Sequence, residues 1–96
     1  EYSKVPKLPG LERYLNLGTM PGGTTRNFES YGHKVSVLND TWKAVLCDPQ
    51  TSGGLLVAVE PEGREAFLAQ AKARGLELTC FGTLSEGGDT LITVNE

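Results

Sequence analysis

The sequence predicts an α+β fold, a mixed β-sheet with helices packed against it, and three observations point there. Leu55-Leu56-Val57-Ala58-Val59 is a continuous apolar run of strand length, the pattern of an interior strand covered on both faces. Segments 76–84 and 90–94 are rich in strand-forming residues and are separated by a Ser85-Glu86-Gly87-Gly88-Asp89 turn. Between the first run and the second lies a well-signalled helix, so strand, helix, strand, hairpin, strand is the expected order.

The helices follow from spacing and end signals. Leu11, Tyr14, Leu15 and Leu17 fall at one-face spacing behind Pro9-Gly10, and Gly18 suits the end of that helix. Thr24 is placed to cap a second helix through Phe28 and Tyr31, which Gly32 would stop. Asn39-Asp40-Thr41 offers caps ahead of Trp42, Val45 and Leu46, and this third helix should end at the Cys47-Asp48-Pro49 corner, because proline disfavours helical geometry at the residue before it. The fourth begins with Pro61 in a first-turn position and Glu60 and Glu62 near the positive end. It closes with Lys72, Arg74 and Gly75 near the negative end. Phe67 and Ala71 should face the core.

A chain of 96 residues makes one domain at most, with a small core. Apolar content of 39% and charged content of 22% place it among soluble globular chains rather than disordered ones. The net charge of -3 gives no general attraction to polyanions, so neither nucleic acid nor an anionic membrane is an expected partner. No stretch reaches the roughly 20 consecutive apolar residues that span a bilayer, and Glu1-Tyr2-Ser3-Lys4 does not open a signal peptide, so a cytoplasmic location is expected. The start at Glu1, with Tyr2 and Val5 resembling the tail of an element, suggests an excised piece. Cys47 and Cys80 each sit in an apolar run and read first as buried small hydrophobes, with a disulfide or metal site as minor alternatives.

Two segments concentrate polar chemistry. Asp48-Pro49-Gln50-Thr51-Ser52-Gly53-Gly54 puts a carboxylate, an amide, two hydroxyls and two glycines directly before the apolar run. The glycines would let backbone approach a ligand or partner closely, with Thr51, Ser52 and Asp48 supplying polar contacts. A tight turn held by an Asx or hydroxyl bond explains the same composition, and composition alone favours it. Pro21-Gly22-Gly23-Thr24-Thr25-Arg26-Asn27 joins flexible backbone to a guanidinium and an amide at a helix start, where free N–H groups favour anions. It lacks P-loop spacing, and taken alone it is better accounted for by a helix-capping loop with a surface arginine. His33 has no Cys or Ser partner and reads as a surface or hinge residue. Trp42 and the three tyrosines do not interleave with basic residues and are assigned to packing.

Taken in order, Leu8-Pro9-Gly10, Pro21-Gly22-Gly23-Thr24-x-Arg26-Asn27, Ser30-Tyr31-Gly32 and Leu46-Cys47-Asp48-Pro49-Gln50-Thr51-Ser52-Gly53-Gly54-Leu55-Leu56 resemble the selenophosphate synthetases, or selenide, water dikinases. The resemblance covers most of the chain and implies an enzyme that makes selenophosphate, AMP and orthophosphate from ATP, selenide and water. It implies a homodimer of two-domain subunits similar in fold to aminoimidazole ribonucleotide synthetase, with ATP and Mg2+ held mainly by an N-terminal domain. Residues 1–96 would then be part of the C-terminal domain, roughly the last quarter to third of such an enzyme. The family's reactive Cys or selenocysteine, its nearby Lys and its magnesium-binding Asp residues have no counterpart here. Catalytic and metal-binding residues are therefore expected to be absent, and the chain alone inactive.

What the resemblance leaves to this chain is a cleft-facing set: Thr24, Arg26, Asn27, Asp48, Thr51, Ser52, Gly53 and Gly54, shaping or covering the nucleotide's phosphate site. The expected partners are the enzyme's own N-terminal domain, the dimer mate and selenide. A non-catalytic α+β module that binds a small ligand or regulates a partner is the alternative, and another synthetase of the same superfamily is a further one.

Overall fold

A computed structural model describes residues 1–36 and 38–96. Among the described residues four α-helices carry the regular structure: α1 (Leu11–Asn16), α2 (Gly22–Tyr31), α3 (Asp40–Leu46) and α4 (Arg64–Ala73). Short 3-10 turns occupy Tyr2–Lys4, Gly32–Lys34 and Pro61–Gly63.

The helix ends obey local chemistry closely. At the end of α1, Gly18 takes φ 73° and its N–H reaches the Leu15 carbonyl at 2.9 Å, while the Thr19 N–H reaches that of Tyr14 at 3.1 Å. This paired closure is the Schellman arrangement, and it needs a left-handed residue that glycine adopts without strain. Gly75 repeats it after α4 at φ 75°, its N–H bonding to Lys72 and that of Leu76 to Ala71. Asn39 caps α3, its side-chain oxygen accepting from the Trp42 N–H at 2.8 Å. Asn39→Ala is expected to lower unfolding stability by about 1 kcal/mol, the usual worth of such a cap, in a urea titration followed by circular dichroism.

α2 departs from expectation at its start. It begins at Gly22 with Pro21 as the flanking residue (φ -63°, ψ 142°), and Thr24 lies inside the first turn, its N–H donating to the Pro21 carbonyl at 3.0 Å. Proline already holds the φ that a helix entry requires, so the helix opens there without a hydroxyl cap.

The mixed sheet is not formed. Among the described residues the only β pairing is an isolated parallel bridge between Val35 and Ile92. There the Ser36 N–H donates to the Ile92 carbonyl at 2.8 Å, the Leu91 and Ile92 N–H groups reach Lys34, and the Val94 N–H reaches Ser36 Oγ. Tyr2 adds one further bond, its N–H donating to the Asn95 carbonyl at 2.7 Å. Residues 55–59 and 76–84 are not strands, and Leu55 and Leu56 stand 92% and 83% exposed where an interior strand was expected. An apolar run reports what a segment can bury; a ladder also needs a neighbouring backbone at hydrogen-bond distance, and no described backbone bond joins 55–59 to another segment.

The consequence is a small buried interior. Ala44 of α3 and Ala71 of α4 are its buried apolar residues among those described, with Phe67 half-buried beside the stripe assigned to α4. Tyr2 stacks on Trp42 with ring centres 5.2 Å apart, and the Lys7 ammonium sits 4.1 Å over the Tyr2 ring. That contact ties the first residues to α3 and confirms a packing task for Trp42. Cys80 corrects expectation in the other direction: it is exposed, because the strand that was to bury it has no partner, and Cys47 is half-buried. Among the described residues no helix is long and apolar enough to cross a membrane.

Candidate functional site

The two polar segments singled out in the sequence meet at the first turns of α2. Gly23 faces Pro49 so closely that a Cβ placed on it would lie 2.7 Å from Pro49 Cγ and 2.9 Å from Pro49 Cβ. One turn later, Asn27 Nδ2 donates to the Cys47 carbonyl at 2.9 Å. These residues stand at i and i+4, hence on one face of α2, and that face seats the 47–49 corner that follows α3.

Around this junction the candidate residues divide by exposure. Arg26 is exposed, and its guanidinium leans toward the helix start, with Nη2 3.8 Å from the position a Gly23 Cβ would take. The cation thus lies near the N–H groups of the first turn, where the helix dipole is positive, and both favour an anion. Thr24 is fully buried, and its hydroxyl has no hydrogen-bond partner among the described residues. Asp48 is half-buried; Thr51, Ser52, Gly53 and Gly54 are exposed. A Cβ on Gly53 would approach Gln50 Oε1 to 2.8 Å, while Gly54 faces open space. Thr51 and Ser52 lie in a turn, so the tight-turn account and the ligand-facing account describe the same exposed hydroxyls.

The Cys47 thiol is pushed up from its ordinary pKa by burial, which the Lys43 charge opposes only in part. A thiol held in its neutral form is a poor nucleophile. His33 is exposed in the turn after α2, as its reading as a surface residue required. Among the described residues no group of three or more His, Cys, Asp or Glu side chains is placed to hold a metal ion.

Sequence reasoning set both segments on one cleft but did not give the contacts between them. It missed Gly23, Pro49 and the Cys47 carbonyl as the contacts that join them. The usable signal was a glycine pair at a helix start, where low helix propensity asks for a steric reason.

No family model matches the chain. A selenide, water dikinase from Pseudomonas putida is 59% identical over 85 residues, covering 88% of this chain and 25% of that protein. One from Photorhabdus laumondii is 53% identical over 97 residues, covering 99% and 28%. The chain is a relative of the selenide, water dikinases. The Escherichia coli K12 enzyme of the same name extends the pattern, at 48% identity over 98% of this chain. The chain spans about a quarter of the length of the selenide, water dikinases it matches.

Proposed function

We propose that the chain is the C-terminal part of a selenide, water dikinase, an enzyme that as a whole makes selenophosphate, AMP and orthophosphate from ATP, selenide and water. The observation that carries this reading is identity of 48–59% to enzymes of that name across nearly the whole chain. In this proposal residues 1–96 are part of a C-terminal domain. ATP and Mg2+ are held mainly by an N-terminal domain, and that domain, its dimer mate and selenide are the partners, in the cytoplasm.

The residues present fit a phosphate better than a metal. Arg26 offers an exposed, permanently charged fork beside free helix N–H groups, and Thr51 and Ser52 offer hydroxyl donors, all suited to phosphoryl oxygens. Asp48 is the one carboxylate of the set, and among the described residues no group of three or more His, Cys, Asp or Glu side chains gathers around it. The tasks left to this chain are to orient a phosphoryl group, to balance its charge through Arg26, and to cover it with the Asp48–Gly54 segment. Gly53 and Gly54 allow close approach there. Thr24 is buried, so its contribution is to the seat of α2. Bond making belongs to residues outside this set.

The test joins this chain, in register, to the remaining residues of the Pseudomonas putida enzyme and follows ATP, Mg2+ and selenide by phosphorus NMR. Selenophosphate and AMP are expected from the joined protein and from neither part alone. Arg26→Ala in the joined protein is expected to lower kcat/KM for ATP by roughly 10- to 100-fold, the range for losing one charged contact to a phosphoryl group. Unchanged turnover and nucleotide affinity would remove Arg26 from the site. Product from the chain alone would overturn the division of labour.

A further inference from the structure

Asn27 belongs to a motif that reads as ligand-binding, yet its amide is directed at the protein. Nδ2 donates to the Cys47 carbonyl across 20 positions of sequence, and Cys47 immediately precedes Asp48-Pro49. The steric contact of Gly23 with Pro49 lies one helical turn away on the same face of α2. A single contact fixes a distance; two contacts a turn apart also fix an orientation. The corner at 47–49 is therefore held in both respects against the helix that carries Arg26.

We propose that Asn27 and Gly23 are positioning residues, which register the Asp48–Gly54 segment against Arg26 so that the two act as one phosphate-facing unit. Neither touches substrate. The link to phosphate rests on the function proposed above, whereas the registration itself does not. Asn27 is suited to the task because a carboxamide supplies an N–H donor without charge, where an ion would be costly to desolvate in a half-buried setting. Gly23 is suited because any side chain would enter the space of the Pro49 ring.

Asn27→Asp separates positioning from bulk stability, since it keeps the shape and removes the donor. At neutral pH the introduced carboxylate faces a carbonyl oxygen it cannot donate to, and the amide NMR signals of the non-proline residues among 47–54 in the chain are expected to shift. As pH falls, the protonated carboxyl donates O–H to the same carbonyl, and those signals are expected to return toward the parent's. A hydrogen bond made only by the neutral form raises a pKa, so the midpoint should lie above the ordinary value of about 4. The charged neighbours are Arg26 and Glu29 on α2, Lys43 on α3 and Asp48 on the corner itself, and the unsubstituted chain measured at each pH removes their titration. Gly23→Ala should shift the same signals with no pH reversal.

In the joined enzyme Asn27→Asp is expected to lower kcat/KM for ATP by roughly 3- to 10-fold at neutral pH, the range for one lost hydrogen bond. If the 47–54 signals match the parent's at neutral pH, or shift without returning on acidification, the positioning role is overturned. If they shift and return while kcat/KM is unchanged, registration stands and the phosphate-facing function falls.

Discussion

Leu55→Lys combined with Val57→Lys is expected to turn a self-associating chain into a monomer, measured by sedimentation velocity over a concentration series. Leu55, Leu56 and Val57 are 92%, 83% and 51% exposed, and Val59 is also exposed, so consecutive apolar side chains of one segment meet solvent. Leu76, Leu78, Leu91 and Ile92 add further exposed apolar area on other segments. Burying a leucine or valine of this kind is worth about 1.5–3 kcal/mol. Several of them on a segment with unpaired backbone groups therefore favour pairing with a second copy. Two lysines on the strand-length run oppose that pairing by charge and by the cost of burying an ammonium. A parent chain that stays monomeric at every concentration would sink the argument, and an associated double variant would move the contact to another segment.

Gly23→Ala is expected to destabilise the chain by about 1–3 kcal/mol in a urea titration, the usual cost of forcing atoms into filled space. Propensity alone predicts the opposite sign, because alanine is better than glycine inside a helix by roughly 1 kcal/mol. The sign of the measured change thus decides between them. The Pro49 ring is the obstacle, with 2.7 Å left to the new Cβ, and a ring closed on its own backbone cannot swing aside as a long side chain would. Pro49→Gly removes both atoms in the way, so adding Gly23→Ala to a Pro49→Gly chain should cost much less than adding it to the parent. A Gly23→Ala chain as stable as the parent would show that Pro49 is free to withdraw and would weaken the registration of the corner on α2.

Legibility in the sequence followed the range of the physics. Gly18, Gly75 and Asn39 were readable because a left-handed helix closure or a side-chain cap is settled within a few residues of chain. The end of α4 was readable for the same reason, but Pro61 and its acids open a 3-10 turn, Pro61–Gly63, and the α-helix itself starts only at Arg64. Thr24 was misassigned because Pro21 supplied an equally local helix entry three residues earlier. The candidate site was half legible: both polar segments stood out by composition, and matches to selenide, water dikinases at 53–59% identity over 88–99% of the chain agree with the family that their order resembles.

Residues 55–59 mark the limit. Their apolarity was evident, but strand formation depends on another backbone lying within hydrogen-bond reach, and composition holds no record of that. The same holds for Cys80, whose burial presupposed the missing neighbour. By itself, then, the order of residues settled where the helices end and which two segments carry the polar chemistry, because those depend on neighbours along the chain. Tertiary structure alone decided that Gly23 meets Pro49, that Asn27 serves Cys47, and that the apolar run faces solvent, because each depends on contacts between residues distant in sequence.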